Sequence, residues 1–412
     1  MQENDGRQLE WLKANSRLRE LDGKVAIYEV KMNVIPVEEG LEKRVIGSDH
    51  KALYASTRYI LVIGRTGAGK TTFINALFNY FVGVDYDDAF RFIIASSPND
   101  DDQAQSQTKN VTAYTIQCLH GCRFRYSLTI VDTPGFGDTV GKEEEEINWL
   151  KVQKLFTSKE FGLDRLHLVA FVVPSSEQRL SANNENIYAK VTSIFGKDVE
   201  NNFHIVVTHC DMKAKKEHPV MKTLRKAGIP SQFGYYVNLQ GILTKDKDDQ
   251  QEKYAWKTQK EELHKMCEYL DEGLTPVSLT LTKENLKKLQ DIEATLRKLE
   301  YSIQEKSGRN RRTTQEFEEE MKLAKELHET FEEHKSRAMK PYLPYIRQFI
   351  CILLEKDQET LKIFCGQMRT EHIDTYEKAK KKVEEVLREK ERKRQDREKG
   401  LLSRFVSLFG FK

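Results

Sequence analysis

The stretch GRTGAGKT, residues 64–71, combines closely spaced glycines with a lysine and a threonine. It follows the apolar run RYILVIG, which predicts a strand, and precedes an amphipathic stretch, which predicts a helix. Glycines in such a turn allow consecutive backbone N–H groups to point at one anion. The pattern G-x-x-x-x-G-K-[ST] therefore predicts a phosphate-binding loop, with the Lys70 charge on the outer phosphates and the Thr71 hydroxyl as a ligand for Mg²⁺. The predicted phosphate contacts come from Gly64, Arg65, Thr66, Gly67, Ala68, Gly69, Lys70, Thr71 and Thr72.

Two further stretches place polar residues at the ends of predicted strands. In SLTIVDTPGFGDT, a carboxylate at Asp132 can hold Mg²⁺ through water, and a backbone N–H at Gly135 can meet a terminal phosphate. FHIVVTHCD ends with Thr208, His209, Cys210 and Asp211, of which Thr208, His209 and Asp211 are the predicted nucleotide contacts. A carboxylate at that place accepts two hydrogen bonds from guanine, whereas adenine offers the wrong donors and acceptors. The order of these motifs favours GTP, and the alternative is an ATPase.

Composition limits the classes of partner. The chain has 412 residues, with 67 Lys and Arg against 64 Asp and Glu, and its formal charge of +3 gives no reason to expect nucleic acid binding. Six cysteines and a polar start without a leader peptide predict reduced thiols in a cytoplasmic protein. The longest apolar-rich run, residues 342–354, is shorter than the roughly 20 residues that a membrane span needs. No transmembrane segment is therefore predicted.

The composition and the pattern of apolar residues change along the chain, and these changes predict four regions. Residues 1–54 form a mixed, polar N-terminal extension. In residues 55–250, apolar runs of strand length alternate with helix-like stretches, which predicts an α/β domain with a mostly parallel sheet and flanking helices. Residues 251–377 are rich in charge with helical periodicity, which predicts a helical C-terminal extension, either a bundle or a coiled coil. Residues 378–412 predict a basic amphipathic tail.

Apolar stripes at helical spacing lie in the helical extension. They flank SGRNRR and predict two helices, which either form a hairpin within one chain or pair between chains. The first stripe is Leu289, Ile292, Leu296, Leu299 and Ile303, and the second is Phe317, Met321, Ala324, Leu327 and Phe331.

The tail joins a basic run to an aromatic end. Between Lys378 and Lys399 there are 11 basic and 6 acidic residues, and GLLSRFVSLFGFK follows. On a helix, Phe405, Leu408 and Phe409 would share one face. This pattern predicts contact with an anionic membrane, and the alternative is docking on the protein's own helical region.

Taken together, the motifs resemble the septin-like GTPases, which include septins, the immune-associated GTPases and the chloroplast import receptor GTPases. The resemblance rests on the phosphate loop, DTPGFGDT, HLVAFVVPSSEQRLSANNENIYAKVTSIFG and IVVTHCD, and covers roughly residues 55–245. It implies a P-loop GTPase domain that binds GTP or GDP with Mg²⁺. It also implies a switch threonine that binds the metal and assists catalysis, at Thr108 or alternatively at Thr112, and it places Asn238 beside the guanine.

Phe136 stands where many GTPases place a glutamine that orients the attacking water. Because a phenyl ring cannot polarise water, hydrolysis is expected to be slow, to be aided by Thr108, or to be completed by a second subunit. Lys70, Thr71 and the loop amides would stabilise the transferred charge. The resemblance implies a homodimer or higher assembly in which His209 reaches the partner; alternatively, His209 only ends a strand. The competing function is a nucleotide-dependent scaffold with little turnover.

Overall fold

The computed structural model describes ten stretches of the chain, which are residues 5–22, 25–47, 56–95, 110–118, 122–137, 142–210, 217–239, 250–273, 275–306 and 314–339. The chain divides into two compact units. The first comprises residues 1–290 and 330–341, and the second comprises residues 291–329 and 342–412.

The strands of the described residues, in chain order, are β1 (Ser16–Asp22), β2 (Val25–Val30), β3 (Asn33–Glu38), β4 (Leu41–Ile46), β5 (Thr57–Gly64), β6 (Phe90–Ile93), β7 (Val111–Ile116), β8 (Ser127–Asp132), β9 (Arg165–Leu166), β10 (Leu168–Pro174), β11 (Phe203–Thr208), β12 (Gly234–Tyr236) and β13 (Val277–Ser278). The helices are α1 (Asp5–Ala14), α2 (Lys70–Val82), α3 (Lys142–Thr157), α4 (Ala182–Thr192), α5 (Pro219–Lys226), α6 (Gln250–Glu268), α7 (Thr280–Lys306) and α8 (Thr314–Arg337).

An eight-stranded sheet forms the centre of the first unit, in the order β12-β11-β10-β5-β8-β7-β4-β3. The five strands from β12 to β8 are parallel. β7 is antiparallel to β8 and parallel to β4, and β3 closes the sheet as an antiparallel edge. This arrangement confirms the predicted α/β class with a mostly parallel sheet and flanking helices.

Strand order explains where a ligand can bind. β5 lies between β8 on one side and β10 on the other. The strand order therefore reverses at β5, and the connections from neighbouring strands leave its carboxyl end in opposite directions. Such a reversal leaves a crevice at the carboxyl edge of a parallel sheet. β8, β10 and β11 are buried almost throughout, which is why they appear in the sequence as continuous apolar runs.

The sheet begins earlier in the chain than the predicted boundary at residue 55. β3 and β4 extend the central sheet, and β2 pairs with β6 in a separate three-stranded sheet. β3 exposes its first four residues, including Val34 and Ile35, and contains Pro36, a residue that sheets confine to edge strands and bulges. Its sequence therefore does not show the pattern of a buried strand.

Helix α6, which begins at residue 250, packs into the same core as α2. Trp256, Leu263 and Met266 of α6 join one apolar cluster with Phe78 and Phe81 of α2. Periodicity alone does not say which neighbour a helix covers, so this contact was not evident from the sequence.

The two helices expected on either side of SGRNRR are α7 and α8. In the described part of the second unit, Ile292, Leu296 and Leu327 are buried, as expected for the apolar stripes. The predicted tail, residues 378–412, lies outside the described residues. Across the ten described stretches, every helix is too short or too polar to cross a bilayer.

Candidate nucleotide-binding site

The predicted phosphate loop connects the carboxyl end of β5 to the first residue of α2. Gly67 has a φ of 73° and Gly69 a φ of 90°, in the left-handed region that favours glycine. The loop turns tightly, since the N–H of Ala68 donates to the carbonyl of Arg65 at 3.2 Å. The loop therefore delivers the N-terminus of α2, with its partial positive charge, to the crevice beside β5.

Lys70 is the first residue of α2, and only 7% of its surface is exposed. Its Nζ donates to the carbonyl oxygens of Gly64 at 3.2 Å and Arg65 at 3.1 Å. The ammonium group thus lies against the loop's own backbone, within the turn predicted to hold phosphate. Thr71 and Thr72 follow in the first turn of α2 and are half-buried.

Asp132 ends β8, the strand beside β5, and is 1% exposed. Its Cα partner in β5 is Val62, two residues before the phosphate loop begins. Burial, and then the charge of Asp132, raise the pKa of Tyr114 in β7, so that phenol stays protonated. A carboxylate at this edge and the hydroxyl of Thr71 are oxygen donors of the kind that Mg²⁺ prefers, so the residues present fit the ion.

The segment after Asp132 lies directly on the phosphate loop. The N–H of Thr66 donates to the carbonyl of Phe136 at 3.0 Å. A Cβ at Gly135 would overlap the side chain and backbone of Thr66, so glycine is required for this close approach. The Phe136 ring is 2% exposed and packs edge-on against Trp149 of α3, with ring centroids 6.1 Å apart.

Thr208, at the end of β11, also holds the phosphate loop. Its Oγ1 donates to the carbonyl of Ala68 at 2.7 Å, and its methyl group faces Gly69. The hydroxyl is thus committed to the loop backbone, and Thr208 connects the phosphate side of the crevice to the strand that carries the predicted base-reading residues.

His209 follows Thr208 with a φ of 51°, and no other non-glycine residue of the described stretches has a positive φ. Its side chain is exposed, and its carbonyl accepts a hydrogen bond from Ser175 Oγ at 2.6 Å. Beside it, the N–H of Cys210 donates to the carbonyl of Val237 at 3.3 Å. This bond brings the chain around Asn238 next to the end of β11. The prediction that Asn238 and the residues after β11 contact the same guanine base requires this proximity.

The septin family model matches residues 56–160. Over this segment, the chain matches the septin-like P-loop GTPases. The septin-like segment contains the phosphate loop, Asp132 and the Gly135–Phe136 turn.

Two relatives each match slightly more than a third of the chain. "GTP-binding protein A" of Dictyostelium discoideum is 25% identical over 152 residues, which are 37% of this chain and 28% of that protein. "Cell division control protein 10" of Saccharomyces cerevisiae is 25% identical over 160 residues, which are 35% of this chain and 46% of that protein. The chain thus spans between about a quarter and a half of the length of these relatives.

Among solved structures, that of Toc33 from Arabidopsis thaliana with Mg²⁺ and GMPPNP is 15% identical to the chain. The match covers 54% of this chain and 87% of the Toc33 chain, with a TM-score of 0.33.

Two predicted site residues, Thr108 and Asp211, lie outside the described residues, the first of them within the septin-like segment. The alternative switch residue, Thr112, lies in β7 opposite Asp132. Its hydroxyl donates to Glu42 Oε1 at 3.1 Å, so it is engaged by β4. The structure therefore brings together the phosphate loop, Asp132, Gly135, Thr208, His209 and Asn238 at one edge of the sheet.

Glu177, in the loop after β10, was not identified from the sequence. It is 7% exposed and forms an ion pair with Arg65 of the phosphate loop. It also accepts hydrogen bonds from the Tyr188 hydroxyl and from Asn184 Nδ2. The only sequence signal was an acidic residue three positions after an apolar strand, where a solvated side chain is the usual expectation.

Proposed function

We propose that this protein binds GTP and hydrolyses it to GDP and phosphate with Mg²⁺. The observation that carries the proposal is the phosphate loop between β5 and α2, with Lys70 turned onto the loop and Asp132 at the end of the next strand. A strand, a glycine turn, a buried lysine and an adjacent acidic strand end together suit a nucleotide triphosphate.

Preference for guanine rests on the sequence of the base side. Asp211 follows β11 in the order expected for the guanine-reading carboxylate, although it lies outside the described residues. The contact between Cys210 and Val237 supports a second base-side residue at Asn238. The similarity of part of the chain to a protein named for GTP binding favours the same nucleotide.

For hydrolysis, the residues of this chain bind and orient the phosphates. The loop amides and Lys70 would stabilise the charge that develops on the transferred group. Thr71 and Asp132 would hold Mg²⁺, with Thr108 as a further ligand and catalytic residue. When bound, the ion would neutralise negative charge on the outer phosphates. Water is the nucleophile, and no covalent intermediate is needed.

A nucleotide-dependent scaffold with little turnover is the second candidate function, and one observation favours it. The ring of Phe136 is packed against Trp149, so the position after Gly135 offers neither a polar group nor a mobile side chain to orient water. Turnover would then depend on another group of the chain or on a second copy of the protein.

The base preference is tested by competition of GTP and ATP for a fluorescent guanine nucleotide. We expect GTP to compete at least about 100-fold better than ATP, because adenine cannot satisfy a carboxylate acceptor. Asp211→Asn should weaken GTP binding and improve binding of xanthosine triphosphate. Equal competition by ATP in the wild type would contradict the guanine assignment, and an unchanged preference in Asp211→Asn would exclude Asp211 as the base-reading residue.

The two functions are separated by single-turnover decay of GTP at increasing protein concentration. A GTPase completed by dimerisation gives a rate constant that rises with concentration, whereas a GTPase acting as a monomer gives a constant rate. A scaffold gives no decay beyond the uncatalysed rate at any concentration, together with retained binding.

A further inference from the structure

Glu177 is a buried carboxylate with an unusual set of partners. Its Oε1 pairs with the Arg65 guanidinium and accepts from Asn184 Nδ2 at 3.4 Å, and its Oε2 accepts from the Tyr188 hydroxyl. Burial, and then the charge of Glu177, raise the pKa of Tyr188, which keeps that phenol a donor. Because a buried carboxylate is costly unless it is paired, this arrangement holds Arg65 in one place.

Arg65 is the point at which the phosphate loop meets the segment after Asp132. Its backbone forms a parallel bridge with Phe136, and the N–H of Phe136 donates to the carbonyl of Gly64 at 3.4 Å. Its side chain passes beside Gly137, where a Cβ would lie 3.5 Å from Arg65 Nε. Arg65 therefore contacts this segment through both its backbone and its side chain.

Helix α4 closes the other side of the same segment. Gly137 has a φ of 75°, and a Cβ there would collide with the side chain of Ile187. The next residue of α4, Tyr188, is fully buried and donates to Glu177. The Phe136–Gly137 segment thus lies between the phosphate loop and α4. The Arg65–Glu177 ion pair connects the two, because Arg65 belongs to the loop and Glu177 is bonded to Tyr188 of α4.

The loop that carries Glu177 is anchored independently of this pair. The N–H of Ser175 donates to the carbonyl of Thr208 at 2.9 Å, and its Oγ donates to the carbonyl of His209. The carbonyl of Gln178 accepts from Thr223 Oγ1 at 2.7 Å. Neutralising Glu177 therefore leaves its loop attached to β11 and α5.

We propose that Glu177 is a positioning residue that acts through Arg65 to hold the Phe136–Gly137 segment on the phosphate loop, and that it thereby sets the preference for GTP over GDP. The inference rests on the proposed function. Gly135, just before this segment, carries the N–H expected to meet the γ-phosphate of GTP, which GDP lacks. Loosening the segment therefore weakens the binding of GTP, whereas GDP keeps its contacts with the phosphate loop and Lys70.

Glu177→Gln tests the proposal, because glutamine keeps the size and one acceptor but removes the charge. The dissociation constants of GDP and of a non-hydrolysable GTP analogue are measured by titration of the full chain. We expect the analogue to bind about tenfold more weakly, which corresponds to about 1.4 kcal/mol, and GDP affinity to change less than about twofold. Thr192→Val is the matched control, since it removes a buried hydroxyl of α4 that bonds only to α4 carbonyls.

A double-mutant cycle shows whether Glu177 acts through Arg65. Arg65→Met should reproduce the loss of analogue affinity, and the double variant Arg65→Met/Glu177→Gln should lose no more than either single variant. Additive losses would overturn the assignment. If Glu177→Gln does not fold, Tyr188→Phe, which keeps the ion pair, should still shift the affinity ratio by about two- to threefold.

The outcomes separate this inference from the function on which it rests. Equal weakening of GDP and the analogue, or a shift of the same size in Thr192→Val, would reduce Glu177 to a structural residue. A wild-type protein that binds neither nucleotide would instead refute the proposed function.

Discussion

The two edges of the central sheet use polar residues in opposite ways. At the carboxyl edge, the Lys70 ammonium and the Thr66 N–H bond to carbonyl oxygens of neighbouring turns, which a phosphate can replace as partners. At the amino edge, His167 and His204 are buried, and their hydrogen bonds are made inside the sheet and its adjoining turns.

The amino-edge histidines are held neutral by their surroundings. His204 Nε2 lies 3.3 Å from the carbonyl of Asn201, which requires the proton on Nε2, so Nδ1 accepts from the Tyr235 hydroxyl at 3.1 Å. His167 Nδ1 accepts from the N–H of Tyr59 at 3.1 Å. Burial lowers the pKa of both groups to about 4.

This difference separates binding from stability. Substitutions of the phosphate-binding side chains at the carboxyl edge should change nucleotide affinity with little effect on unfolding, because a ligand can supply partners there. Substitutions or protonation at the amino edge should change the free energy of unfolding with little effect on affinity, because nothing can replace the buried partners.

Lys70→Ala should give the largest effect. Loss of the buried ammonium removes a charge-assisted contact with the phosphates, and we expect GTP affinity to fall about 100-fold or more, which is about 3 kcal/mol. Affinity is measured by titration with a fluorescent GTP analogue, and unfolding by urea with circular dichroism. The unfolding midpoint without nucleotide should stay close to that of the wild type. Retained tight binding would show that the glycine loop serves only the fold.

Acidification should act at the other edge. Because the pKa of His204 is 6.5 in the unfolded chain and about 4 in the fold, the unfolded state binds more protons between these values. The stabilising contribution of the neutral histidine is therefore fully present above pH 6.5. The free energy of unfolding decreases as the pH falls from 6.5 towards 4. At pH 5 each such histidine should remove about 2 kcal/mol.

Urea unfolding at pH 7.5 and pH 5 checks this sign. In His204→Phe, which keeps an aromatic ring among Phe233 and Tyr269, the loss on acidification should be smaller by about 2 kcal/mol than in the wild type. An identical loss in both proteins would mean that His204 does not titrate on unfolding. His209→Phe, at the exposed position just after the same strand, is the matched control.

The glycine turn at the carboxyl edge could be predicted from the sequence because its geometry depends on residue type at fixed spacing. Gly67 and Gly69 adopt angles that other residues avoid, and a buried lysine follows them, so the motif and the fold describe the same turn. The central strands were equally clear, since strands buried on both faces must be apolar along their whole length.

What the sequence did not predict depends on tertiary neighbours. β3 is mostly exposed and contains Pro36, which a central strand excludes, and only its pairing with β4 makes it part of the sheet. Glu177 resembles a solvated loop residue, and its role follows from the approach of Arg65, 112 positions away in the chain. The amphipathic pattern of α6 does not specify which surface it covers.

Thr208→Val should have an intermediate effect at the carboxyl edge. Valine keeps the shape and the methyl contact with Gly69 but removes the 2.7 Å hydrogen bond to the Ala68 carbonyl. We expect GTP and GDP to weaken equally by about three- to tenfold, because the loop is less fixed around phosphates that both nucleotides share. An effect on base preference alone would instead place Thr208 at the guanine.

His209 should give the smallest effect, and it tests the comparison most finely because it directly follows β11, the strand that contains His204. Its imidazole is exposed, but its φ of 51° is costly for a residue with a Cβ. In His209→Gly, relief of this strain and the greater entropy of the unfolded chain oppose each other, so the free energy of unfolding should change by less than about 1 kcal/mol. His209→Val, with a branched Cβ, should destabilise the fold by about 1 kcal/mol or more. If His209 only ends the strand, the concentration dependence of GTP decay is the same in His209→Gly and the wild type. If it reaches a second copy of the chain, that dependence disappears while nucleotide affinity is retained, which would add a catalytic role to the carboxyl edge.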